Sequence, residues 1–124
     1  MAAAQPKIPG PDHPITISPA GARVRVRFGG EVIADTSDAL DLQESTYPVV
    51  HYVPRSAVHM DRLEKTAHST HCPYKGDASY FSIVGKDGTR AENAVWSYET
   101  PFPAMKQITG YLAFYPNKVE ISAG

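Results

Sequence analysis

The run Val24-Arg25-Val26-Arg27-Phe28-Gly29-Gly30-Glu31-Val32-Ile33-Ala34-Asp35 decides the fold class. Val24, Val26 and Phe28 alternate with Arg23, Arg25 and Arg27. Successive side chains on a strand point to opposite faces, so this period of two predicts a strand with one buried face and one cationic face. Gly29-Gly30 then separates it from a second strand-like run, residues 31–35. Tight hairpin turns need positive φ, which glycine adopts without a Cβ clash, so the pair predicts a two-residue hairpin. The arginine stripe reads as a solvated strand face beside Glu31 and Asp35 rather than a nucleic-acid stripe.

Outward from this hairpin, short apolar runs recur at 39–44, 49–53, 79–84, 94–99, 111–115 and 119–121. Pro54, Pro101 and Pro103 stop two of them, and Lys86-Asp87-Gly88 and Pro116-Asn117-Lys118 turn two others. Residues 104–109 have the length of one or two helical turns, with Gly110 as the stop. Residues 56–65 fit neither template and are expected to form a helical turn or a bent strand. About seven or eight short strands at intervals of about 8–15 residues predict an all-β sandwich, barrel or folded sheet. Residues 1–21 hold five prolines and read as an extended arm, with Ile8, Ile15 and Ile17 available to pin it down. Residues 22–124 read as a single β domain.

The 124 residues suit one domain, and 42% hydrophobic with 20% charged residues is ordinary for a globular chain. Twelve basic against thirteen acidic residues give a net charge of -1, which argues against nucleic acid or a membrane surface as partner. Eleven prolines and nine glycines argue against a bundle of long helices. The single cysteine, Cys72, rules out an intramolecular disulfide and a four-cysteine zinc site. No apolar run approaches the roughly 20 residues of a membrane span. The first residues lack the basic start and apolar core of a secretory signal, so a cytoplasmic location is expected.

Chemistry concentrates in three segments. His68-Ser69-Thr70-His71-Cys72-Pro73-Tyr74-Lys75-Gly76-Asp77 packs a thiol, two imidazoles, a phenol and an ammonium into one stretch. Lys75 or His71 can supply the positive charge that a reactive thiolate needs; a small buried Cys72 is the other reading. His68, His71 and Cys72, with His51, offer nitrogen and sulfur donors, but neighbours on a strand face opposite ways, so no metal site is expected. In Tyr52-Val53-Pro54-Arg55, proline fixes the strand exit and presents a guanidinium whose donor fork matches carboxylate or phosphate. With Lys75 it makes an anion site; paired to Glu44 or Asp77 it is structural. Trp96 and Tyr98 share one strand face, as do Tyr111, Ala113 and Tyr115. Such stripes can line a pocket or fill a core.

Taken in order, the Gly29-Gly30 hairpin, Tyr47-Pro48-Val49-Val50-His51-Tyr52-Val53-Pro54-Arg55, Cys72-Pro73-Tyr74-Lys75-Gly76-Asp77-Ala78-Ser79-Tyr80, Ala94-Val95-Trp96-Ser97-Tyr98-Glu99-Thr100-Pro101 and Gly110-Tyr111-Leu112-Ala113-Phe114-Tyr115 carry a resemblance. The chain resembles the domain of unknown function 427 family, also labelled a nucleotidyltransferase-like domain, over about residues 8–121. The resemblance implies a small, mainly β domain of the β-tent type: two antiparallel sheets pinched together at one end, with one or two short helical turns. Other proteins of that wider fold bind zinc through paired CxxC motifs; none occurs here, so no cofactor is expected. The family's characteristic positions fall on Glu44, Tyr52, Arg55, Cys72, Lys75, Trp96, Tyr98 and Tyr115.

These readings converge on one expected pocket. Arg55 and Lys75 hold an anionic group of a small molecule, a nucleotide among the ligands that fit. Trp96 and Tyr98 pack against its flat part, and Tyr52, Tyr74, Tyr115 and Glu44 complete the lining. Cys72, Lys75 and Arg55 are the candidate catalytic groups, with Cys72 as nucleophile, redox group or wall. The competing expectation is a non-catalytic interaction module whose Pro-rich arm, residues 1–21, mediates self-association, a homodimer being one form, or binding of a partner protein.

Overall fold

A computed structural model describes residues 6–124 of the chain; the first five residues of the expected arm lie outside the described residues. The strands are β1 (Ile15–Pro19), β2 (Val24–Phe28), β3 (Glu31–Thr36), β4 (Leu40–Glu44), β5 (Val50–Tyr52), β6 (Leu63–Cys72), β7 (Gly76–Val84), β8 (Arg90–Ser97), β9 (Leu112–Phe114) and β10 (Glu120–Ala123). Short 3₁₀ turns occupy Arg55–Ala57, Met60–Arg62 and Pro103–Ile108. The protein is mainly β, with antiparallel pairing and a few helical turns, as the sequence predicts. Hydrogen bonding groups the strands into three sheets, β1-β4-β5, β10-β2-β3 and β6-β7-β8-β9, where the resemblance implies two. Among the described residues, no helix is long and apolar enough to cross a membrane.

The predicted hairpin joins β2 to β3, with Gly29 and Gly30 at φ 58° and 80°. Both lie where a Cβ is penalised, which is why two glycines stand there. Arg23 donates to Asp35 from Nε and the guanidinium tip at 2.8 and 2.7 Å, on the solvated face. Val24 and Val26, on the other face, are buried.

Two stretches depart from the expected organisation. Ile15–Pro19, read as arm, is a strand along β4, with Ile17 opposite Leu42. Four prolines precede it and mask it, and the fifth, Pro19, is its last residue, where an edge strand tolerates a missing donor. Leu63–Cys72 is a ten-residue strand at the edge of the four-stranded sheet. Most of its side chains are exposed, so it lacks the apolar alternation that reveals a half-buried strand. A register irregularity between Lys65 and Ser69 breaks what periodicity remains.

The buried residues form two clusters. Phe81, Ile83, Val95, Leu112 and Phe114 pack with Val24, Val26, Ile33 and Val53 in a core of mainly aliphatic side chains, with two phenylalanines and no polar tips among these nine. Tyr80, Tyr98 and Ala113 pack with Leu42, Tyr52, Met105 and Ile108, with Trp96 and Tyr115 against them. Odd and even positions of β7 and β9 divide between the two clusters, as a period of two requires; in β8 Val95 and Trp96 divide likewise, but Ala94, after the positive-φ Asn93, joins Val95. Tyr52 and Val53 are split the same way.

Candidate functional site

The aromatic cluster does not close completely. Leu42 and Glu44 from β4, Val50 and Tyr52 from β5, Tyr80 from β7, Trp96 from β8 and Tyr98 just past its end line a recess of about 240 Å³. Tyr115, Lys75 and the β4–β5 turn residues Tyr47 and Pro48 complete its wall. Strand alternation selects these side chains: Leu42 and Glu44, Val50 and Tyr52, and Trp96 and Tyr98 are each two residues apart. Register brings them together, since Leu40 lies opposite Tyr52 and Tyr80 opposite Trp96.

The rings hold one another in place. The Trp96 indole N–H donates to the Tyr52 hydroxyl at 3.2 Å, with the two rings edge-on at 88°. Trp96 and Tyr115 rings lie 4.6 Å apart. The Tyr80 and Tyr115 hydroxyls are 3.3 Å apart, and Tyr80 also meets the Thr70 hydroxyl at 3.0 Å. Tyr98 is only 7% exposed, and its hydroxyl has no protein hydrogen-bond partner among the described residues. Burial, reinforced by Tyr52 and Cys72 nearby, pushes the Tyr98 phenol well above the ordinary tyrosine range. Burial does the same to Tyr52, and burial with the Tyr80 hydrogen bond raises Tyr115 to about 12. All three are neutral hydroxyls near neutral pH, able to donate to an acceptor.

At one wall stands an ion pair. Lys75 is 7% exposed, and its Nζ donates to Glu44 Oε1 at 2.5 Å. The other Glu44 oxygen meets His13 Nε2 at 2.7 Å. Lys75 Nζ also lies 3.5 Å from Cys72 Sγ and 5.9 Å from the Tyr98 ring centre. Burial raises the Glu44 carboxyl, but the hydrogen bonds from Lys75 and His13 outweigh it and hold the group below the usual carboxylate range. A buried ammonium needs such a partner, because an uncompensated charge there costs several kcal/mol. The turn that delivers Lys75 depends on Gly76, whose φ of 109° no other residue adopts readily.

Six of the residues singled out from sequence therefore meet: Glu44, Tyr52, Lys75, Trp96, Tyr98 and Tyr115. Three do not join the lining. Arg55 leaves β5 on the opposite side, where Nε donates to the Gly110 carbonyl at 3.1 Å and the guanidinium reaches Glu99 at 3.1 Å. It also covers the Phe81 ring, 5.6 Å from its centre. Pro54 aims it there, so the expected two-cation clamp of Arg55 with Lys75 is not formed, and the partner is Glu99 rather than Glu44 or Asp77. Tyr74 points away from the recess and stacks on His13, ring centres 4.2 Å apart. Cys72 is half-buried behind Lys75, its thiol against the ammonium rather than on the wall. His68, His71, Cys72 and His51 are not gathered: among the described residues no group of three or more His, Cys, Asp or Glu forms a metal-holding cluster.

Sequence reasoning missed Leu42, Tyr47, Pro48, Val50, Tyr80 and His13. Tyr80 was within reach, since Ala78 and Tyr80 share a face of β7 by alternation. His13 carried no local signal, for its partner lies 31 residues away.

No curated protein matches the chain. A family model described as "Domain of unknown function (DUF427)" matches residues 16–123, a span that takes in both clusters, the recess and its ion pair but leaves His13 outside. The chain belongs to that family.

Proposed function

We propose that the protein binds a small, flat ligand in the aromatic recess, with a hydrogen-bond acceptor at the Tyr98 hydroxyl and an anionic or polar group at Lys75. The observation that carries this reading is Tyr98 at the recess wall: the residue is 7% exposed, and its hydroxyl has no protein hydrogen-bond partner among the described residues. A neutral hydroxyl at a recess wall, with no protein group to satisfy, is available to donate to a bound acceptor. The size supports one ring with a polar substituent over a whole nucleotide, because about 240 Å³ falls below the roughly 300–1,000 Å³ of drug-sized sites. Arg55 lies outside the recess, so Lys75, paired to Glu44 at its wall, is the cation that serves the ligand.

Trp96 is the single tryptophan, so its emission reports the recess directly. Single-ring probes such as benzenesulfonate are expected to change that emission saturably. Tyr98→Phe and Lys75→Met should each weaken binding about fivefold or more, the worth of one hydrogen bond, while Arg55→Leu leaves it unchanged. Loss of binding on Arg55→Leu equal to that on Lys75→Met would overturn the assignment. A second reading, self-association, draws on the rim: Tyr47 and Val49 are 61% and 43% exposed. A dimer in sedimentation that Tyr47→Ser disperses would favour it.

A further inference from the structure

The arm is not loose where it passes the site. The Lys7 backbone N–H donates to the Pro73 carbonyl at 2.9 Å, and the Ser45 N–H to the Pro14 carbonyl at 2.7 Å. Between these anchors, Gly10 and His13 exchange backbone hydrogen bonds across a turn. His13 is thereby fixed with one ring face on Tyr74 and its Nε2 on Glu44. Lys75 takes the other oxygen of the same carboxylate. One anion thus divides its charge between an obligatory cation and an imidazole whose charge depends on pH.

We propose that His13 is a positioning residue of the recess: through Glu44 it sets how much of the Lys75 charge reaches a bound anion, so anion capture tightens as the imidazole takes up its proton. This rests on the binding reading above and adds its regulation. With His13 neutral, Glu44 and Lys75 cancel and an incoming anion meets no net charge. With His13 protonated, the Glu44 charge is shared by two cations and the group carries one net positive charge beside the recess. Electrostatic attraction then favours an anion over its neutral isostere.

The other charged or titratable groups around His13 are few. Glu44 faces it from β4, and Tyr74 and Lys75 from the β6–β7 turn. Lys7 lies over the Tyr74 ring from the arm, 5.9 Å from its centre. Asp12 adjoins it in its own turn. Behind the ion pair, the Cys72 thiol lies 3.5 Å from Lys75 Nζ. Of all these groups, the imidazole is the one that ordinarily titrates between about pH 5 and about pH 8.

The test uses benzenesulfonate, whose charge is constant over that range, and neutral benzenesulfonamide, each followed by Trp96 emission on the full chain. Benzenesulfonate is expected to bind about three- to tenfold tighter at about pH 5.5 than at about pH 8, and the sulfonamide equally at both. His13→Gln keeps a donor to Glu44 but carries no proton to gain or lose. It should bind the sulfonate at both pH values as the wild type does at about pH 8. A purely structural role would instead weaken both probes together at every pH. A sulfonate affinity independent of pH, or a pH dependence that survives His13→Gln, overturns the inference and leaves the binding reading intact. Failure of both probes to bind at either pH overturns both.

Discussion

The four-stranded sheet presents two faces made by one backbone and opposite in chemistry. On one, Ile83, Val95 and Leu112 are fully buried against Val24, Ile33 and Val53. On the other, Tyr80, Tyr98 and Trp96 meet Tyr52 and Tyr115 around a recess. Branched aliphatic side chains have no polar tips and interlock, so their face seals. Tyrosines bring hydroxyls that need partners, and the geometry that gives them partners keeps the rings apart. Each face also has its basic residue. Arg55, on the aliphatic side, is spent on Glu99 and a backbone carbonyl, while Lys75, on the aromatic side, stands at a cavity wall. Position relative to the sheet decides which cation is structural.

The sharpest way to test that contrast is to cut the sealed face. Ile83→Ala removes a fully buried side chain from a region with no room to relax. It should cost roughly 2–5 kcal/mol, read from the urea midpoint. A cost under about 1 kcal/mol would mean that the aliphatic face is no better packed than the recess.

Acid should act next, and on the open face. The Glu44 carboxyl titrates below its unfolded value, so its contribution is present above the ordinary carboxylate range and is lost as pH falls through the lowered value. Glu44→Gln should remove that part of the acid sensitivity. Its cost near neutral pH should be roughly 1–3 kcal/mol, as for hydrogen bonds to charged groups. Parallel acid-unfolding curves for the two proteins would deny the pair any role in stability.

The smallest effect belongs to Tyr98→Phe. Its hydroxyl has no protein partner to lose, so stability should change by less than about 0.5 kcal/mol even as ligand binding suffers. A large destabilisation would show that the hydroxyl is structural, and the two faces would then differ less than their composition suggests.

Much of this contrast is legible along the chain. The alternation of Val24, Val26 and Phe28 with arginines, and the pairs Trp96/Tyr98 and Val50/Tyr52, assign side chains to faces without any coordinates. The strand missed at Leu63–Cys72 is an edge with little burial, where alternation carries no apolar signal. The strand missed at Ile15–Pro19 is hidden by the prolines before it and by Pro19, which an edge tolerates. A guanidinium after a strand-ending proline looks the same from sequence whichever way it turns, so the sequence puts Arg55 in the pocket and the fold puts it against Glu99.

By itself, the sequence determined the β class, the Gly29-Gly30 hairpin and the shared face of Trp96 and Tyr98, because each depends on a residue and its near neighbours. Tertiary structure alone decided that Lys75 and His13 share Glu44, across 31 residues in each case, and that Arg55 closes on Glu99 across 44. A strand's period fixes which way a side chain points. What it meets there depends on register between strands and on how sheets close over one another, and those are set by the packing of the whole chain.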